Sequence, residues 1–83
     1  MSEVDGAALT LYSRAGCHLC EDAEAALDAL NQPFTRTDIG TDPDLEARYG
    51  WDVPVLLRGE VVLAKGVINV ARLRRVLGLT GPG

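Results

Sequence analysis

The chain has 83 residues, 47% of them apolar and 24% charged. That is one small domain with an ordinary globular balance, which excludes disorder, collagen and coiled coil. Its net charge of −4 argues against nucleic acid as a partner, because phosphate binding needs a basic face.

No apolar run approaches the about 20 residues of a membrane span. Met1 to Gly6 lack the basic-then-apolar pattern of a secretory signal. Residues 8–12, Ala-Leu-Thr-Leu-Tyr, alternate and contain β-formers, which predicts a first strand. Leu9 and Leu11 would line one face, with Ala8, Thr10 and Tyr12 on the other. Ser13 to Gly16 read as a turn. From His18 to Asn31 the apolar positions Leu19, Cys20, Ala23, Ala26, Leu27 and Leu30 have helical spacing. Asn31-Gln32-Pro33 ends that helix.

Phe34 to Ile39 read as a second strand. Thr41-Asp42-Pro43-Asp44 starts a short helix, with a capping side chain, an early proline and acids at the positive helix end. Gly50 should stop it. Pro54 to Arg58 and Glu60 to Ala64 read as two strands around a tight turn at Gly59. Lys65-Gly66 is a loop. Asn69 caps a last helix with apolar positions Val70, Leu73, Val76 and Leu77, closed by Gly78. The tail over 79–83 should fray.

The order β-α-β-α-β-β-α predicts an α/β fold. A right-handed crossover lays the first two strands parallel, and the hairpin adds two antiparallel strands. The expectation is a four-stranded mixed sheet, first strand central, with helices on both faces. Residues 1–83 form a single domain with its core over 8–78.

Cys17 and Cys20 are the two cysteines, spaced C-x-x-C. A disulfide between them would close a four-residue loop and remove little unfolded-state entropy, so stability is a weak explanation. Without a signal segment or a multi-cysteine framework, the pair suits a reducing cytoplasm. There it would be catalytic, redox-sensing or metal-binding. Zinc needs four ligands, and one pair plus His18 falls short unless a dimer shares the site. No metal is therefore expected.

Cys17 falls at the start of the first helix, where free N–H groups and the dipole favour a thiolate. Cys20 lies one turn on and more buried, which suits a nucleophile and a resolving thiol. Arg14 and a protonated His18 would support the thiolate, while Glu21 and Asp22 oppose it. Pro54, after Asp52-Val53, either starts an edge strand or forms a cis bond with Val53. The cluster Arg72, Arg74 and Arg75 is either a solvated helix face or a docking patch for an acidic partner.

The segment Leu11-Tyr12-Ser13-Arg14-Ala15-Gly16-Cys17-His18-Leu19-Cys20 resembles the glutaredoxin active-site segment, in which Tyr-Ser-Lys runs into Cys-Pro-Tyr-Cys. Asp52-Val53-Pro54 resembles its Thr-Val-Pro, and Gly-Cys-His-Leu-Cys is closest to the bacterial glutaredoxin-like proteins. The resemblance covers residues 8–78 and implies a thioredoxin-like, glutaredoxin-type fold with a cis Val53–Pro54 bond. It implies a thiol–disulfide oxidoreductase: Cys17 attacks a disulfide, Cys20 resolves the mixed disulfide, and glutathione or a dedicated reductase restores the dithiol.

Glutathione would meet Arg14, the Val53 backbone beside Pro54, and the start of the last helix at Gly66 and Asn69. Ile68 stands where the family carries an aspartate. The expected partners are a disulfide-bearing protein or glutathione, met by a cytoplasmic monomer with no bound cofactor. Two other classes stay open. One is a dimer bridging a [2Fe–2S] cluster through Cys17 and glutathione. The other is a redox-sensing interaction domain docking through the arginine cluster.

Overall fold

The computed structural model describes residues 8–79. The readings of Met1 to Gly6 and of the tail at 80–83 lie outside them. The elements run β1 (Leu9–Ser13), α1 (His18–Ala29), β2 (Phe34–Asp38), a 3₁₀ turn (Ile39–Thr41), α2 (Pro43–Tyr49), β3 (Val55–Arg58), β4 (Val61–Lys65) and α3 (Val70–Val76). The sheet order is β2-β1-β3-β4. β1 pairs parallel with β2 and antiparallel with β3, and β3 pairs antiparallel with β4. This is the expected mixed sheet, with β1 in its interior.

Alternation along β1 separates the two faces. Leu9, Leu11 and Ser13 are buried, while Thr10 and Tyr12 are partly exposed. Leu9, Leu11, Leu56 and Ala64 join Ala23, Ala26 and Leu27 of α1, Leu73 of α3, and Ile68 in one core. The other face is covered more thinly. There α2 sets Tyr49 on Tyr12, with ring centroids 5.1 Å apart. α2 has only seven residues and none is fully buried, so Val62 of the edge strand stays exposed.

Local chemistry explains most element ends. Asp42 caps α2 by accepting from the N–H groups of Asp44 and Leu45, and Pro43 follows at the first position. Gly59 sits at φ +62 at the first position of a two-residue hairpin turn, where glycine is favoured. Both α1 and α3 close with the 6→1 and 5→2 bonds of a Schellman motif. In α1 these run from Gln32 N to Leu27 O and from Asn31 N to Asp28 O, both 3.0 Å. In α3 they run from Leu79 N to Arg74 O and from Gly78 N to Arg75 O.

Several expected boundaries move. β1 reaches Ser13, which reads as a turn residue in the sequence, because the buried alternation continues one step further. α1 ends at Ala29 rather than Asn31, since Asn31 takes the left-handed conformation at φ +56. The second strand stops at Asp38, whose carboxylate accepts from Gly40 N and turns the buried Ile39 into the 3₁₀ turn. β3 and β4 begin one residue later than expected, and β4 takes in Lys65. A register shift at Leu56/Leu57 leaves Leu63 as the extra residue between the pairs to Ala64 and Val62.

Candidate active site

The site forms where β1 ends and α1 begins. Between them Cys17 N donates to Arg14 O at 3.2 Å, and Gly16 makes the bend at φ +79. A Cβ on Gly16 would meet no atom, so its positive φ alone favours glycine there.

Cys17 is the N-cap of α1. Its sulfur accepts the N–H of Cys20 at 3.2 Å. Both cysteines are free thiols, Cys17 partly exposed and Cys20 buried at 1% exposure. One thiol therefore faces solvent and the other faces the core. Burial pushes the Cys20 thiol up to about 11, and its neighbour Cys17 adds to the rise. The Arg14 backbone N–H and the Ser13 hydroxyl pull against it. The Cys20 proton is therefore held firmly in the dithiol state.

Ser13 is the residue that sequence reasoning missed. It is fully buried, and its Oγ makes no aligned hydrogen bond among the described residues. The period-two pattern Leu9, Leu11, Ser13 could have revealed it.

Arg14 has a different first partner from the one expected. Its guanidinium pairs with the Glu46 carboxylate of α2, at 2.6 Å from Nη2 to Oε1. That pair is the main cause holding the Arg14 pKa above its ordinary value, with smaller contributions from Cys17 and Cys20. The sequence could not show this contact, because Arg14 and Glu46 lie 32 positions apart. Gly50 leaves room for it: a Cβ there would lie 3.0 Å from Arg14 Nη2 and 2.5 Å from the Glu46 carbonyl oxygen. Arg14, Glu46, Gly50 and Trp51 line a cleft of about 280 Å³, and Trp51 is wholly exposed. His18 stands in solvent with a 95% exposed side chain, and the carboxylate beside it is Glu21, at 3.8 Å.

The Val53–Pro54 peptide is cis. Gly66 N donates to Asp52 O at 3.2 Å and to Pro54 O at 2.9 Å, which ties this loop to the end of β4. Lys65 Nζ lies 3.7 Å from Asp52 Oδ2. Pro54 is buried and Val53 partly exposed. Among the described residues, the Val53 N–H and C=O make no backbone hydrogen bond. Trp51, two residues before Val53, shares the cleft with Arg14.

Asn69 uses its side-chain oxygen to cap α3, accepting from Arg72 N at 2.8 Å. Arg72 in turn donates to Lys65 O at 2.9 Å and Val67 O at 2.7 Å, so one of the three clustered arginines is committed to the loop. Ile68 is buried in the core. Among the described residues, no group of three or more His, Cys, Asp or Glu side chains could hold a metal. No described helix is long and apolar enough to cross a membrane.

The model of the glutaredoxin-like domain family (DUF836) matches residues 8–78. The X-ray structure of the Northeast Structural Genomics target XcR50 from X. campestris is 39% identical and covers 88% of this chain and 99% of that one, with a TM-score of 0.79. The solution structure of the same target is 38% identical, covering 88% and 95%, with a TM-score of 0.70. A structure described as that of a malarial protein shares the fold at 15% identity, covering 86% and 92%, with a TM-score of 0.60. No curated protein matches the chain. With a family match over nearly all of the described residues and a close structural relative, the chain belongs to the glutaredoxin-like domain family of the thioredoxin superfamily.

Proposed function

We propose that the protein is a thiol–disulfide oxidoreductase in which Cys17 attacks and Cys20 resolves. The supporting observation is the unequal placement of the two sulfurs. Cys17 is reachable at a helix N-terminus, and Cys20 is buried one turn behind it with its N–H on the Cys17 sulfur. Attack by the Cys17 thiolate on a disulfide forms a mixed disulfide and expels one substrate thiolate, which takes up a proton. Cys20 then loses its proton and attacks the Cys17 sulfur. The Cys17–Cys20 disulfide closes, the second substrate sulfur leaves as a thiol, and two electrons have passed to the substrate.

The substrate in this reading is a protein disulfide. Its chain can pair, as a short added strand, with the Val53 backbone groups, which make no backbone hydrogen bond among the described residues. Glutathione, or a dedicated reductase, returns two electrons and two protons. Glutathione would act by exchange at the sulfurs without a tight site of its own. Arg14 and Lys65 are paired within the chain, Asn69 is engaged in a cap, and Ile68 is in the core. The protein works as a monomer in the cytoplasm, where the dithiol stays reduced between turnovers.

The test equilibrates the dithiol protein in glutathione buffers of graded poise and reads intact mass. The wild type should lose two hydrogens and keep no adduct. Cys20→Ser should accumulate one glutathione, and Cys17→Ser should do neither. Full exchange by Cys17→Ser would overturn the assignment.

A further inference from the structure

We propose that Ser13 is a positioning residue for the resolving step, its buried hydroxyl donating a hydrogen bond to the Cys20 sulfur as that sulfur becomes the attacking thiolate. The inference rests on the exchange reading above and adds to it a residue outside the C-x-x-C.

The placement follows from two periodicities. Ser13 continues the buried side of β1 after Leu9 and Leu11. Cys20 continues the buried side of α1, ahead of Ala23 and Leu27. Leu9, Leu11, Ala23 and Leu27 belong to one core, so these two sides face each other. Ser13 is the last residue of β1, and Cys20 lies in the first turn of α1. Both therefore occupy the same end of one strand–helix layer, and both are excluded from water.

The hydroxyl has no competing use. It makes no aligned hydrogen bond among the described residues. Asp38, its partner across the ladder to β2, has its carboxylate turned to Gly40 N at 2.8 Å. A buried hydroxyl left unpaired costs folding free energy, so an apolar side chain would suit a purely structural position better. An anion on Cys20 would supply the missing acceptor. Consistent with this, the Ser13 hydroxyl acts on Cys20 against the effect of burial. The other groups whose charge bears on these sulfurs are Cys17, on the same turn, and Arg14.

The step balances without a new reactant. The Cys20 proton goes to solvent, the Cys20–Cys17 bond forms as the Cys17–substrate bond breaks, and the departing thiolate takes a proton from solvent. Ser13 keeps its own proton throughout and only orients it.

The test follows an aromatic disulfide, dithiobis-nitrobenzoate, in stopped flow. Attack by Cys17 releases one coloured thiolate and resolution by Cys20 releases a second. Wild type, Ser13→Ala and Ser13→Thr are compared across pH. If loss of the hydroxyl cuts the Cys20 thiolate fraction about tenfold, the remaining thiolate is a stronger nucleophile, and a Brønsted slope of roughly 0.4–0.5 leaves a net slowing of about three- to fourfold. Ser13→Ala should keep the first phase, slow the second by that factor, and move its pH profile upward. Ser13→Thr should restore the second phase, and urea unfolding of dithiol Ser13→Ala should show no loss of stability. Equal second phases in wild type and Ser13→Ala would overturn the proposal. So would equal slowing of both phases, or failure of threonine to rescue. A wild type that shows no second phase would instead overturn the exchange reading itself.

Discussion

At Arg14 a carboxylate and two thiols compete for one guanidinium. Glu46 holds it directly, and the sulfurs feel it from further away. The pair is part-exposed, so salt and solvent weaken it. Glu46→Gln removes the competing anion while keeping a side chain of similar shape. The expected result is faster alkylation of Cys17 by iodoacetamide at neutral pH and low salt, by about twofold, with the gain fading as salt is added. Arg14→Ala should shift the rate the other way. An unchanged rate in both variants would remove Arg14 from the site. His18 should contribute less, because it is solvated and its near neighbour is Glu21.

Among the elements, α3 shows how capping competes with ligand binding. Asn69 serves the first turn of the helix, and Arg72 holds the Lys65 carbonyl at the end of β4 and the Val67 carbonyl of the loop that follows. These two side chains therefore keep the Gly66 loop against Asp52 and Pro54. Asn69→Ala should cost about 1 kcal/mol in urea unfolding, the usual loss for a side-chain cap. It should leave the Cys17 attack phase unchanged. A large loss of glutathione exchange with no loss of stability would show that Asn69 binds ligand and would revise its role.

For the whole molecule, the buried Cys20 thiol links redox chemistry to stability. Its folded value of about 11 lies above the 9.0 of an unperturbed thiol. Between those values the unfolded chain has lost this proton and the folded chain still holds it, so the unfolded state binds fewer protons. Stability of the dithiol form is then complete below the unfolded value and falls as pH rises through the folded one. Urea titrations under reductant at pH 7, 9 and 11 should show this for the wild type relative to Cys20→Ala. A constant difference between the two would mean that burial does not hold the proton.

The element order, the C-x-x-C at a helix start and the caps at Asp42 and Asn69 were legible in the sequence alone. Each depends on residues a few positions apart: alternation for β1, apolar spacing for α1, a capping side chain before its own first turn. Tertiary structure decided what each site residue touches. Ser13 became a buried neighbour of Cys20 only when α1 packed on β1. Arg14 met Glu46 only when α2 came to the cysteine turn, and Ile68 went into the core because α1 and α3 share a face of the sheet. Local signals are written in neighbours along the chain. Burial and partner choice are set by contacts between distant segments, and those exist only once the sheet order β2-β1-β3-β4 has formed.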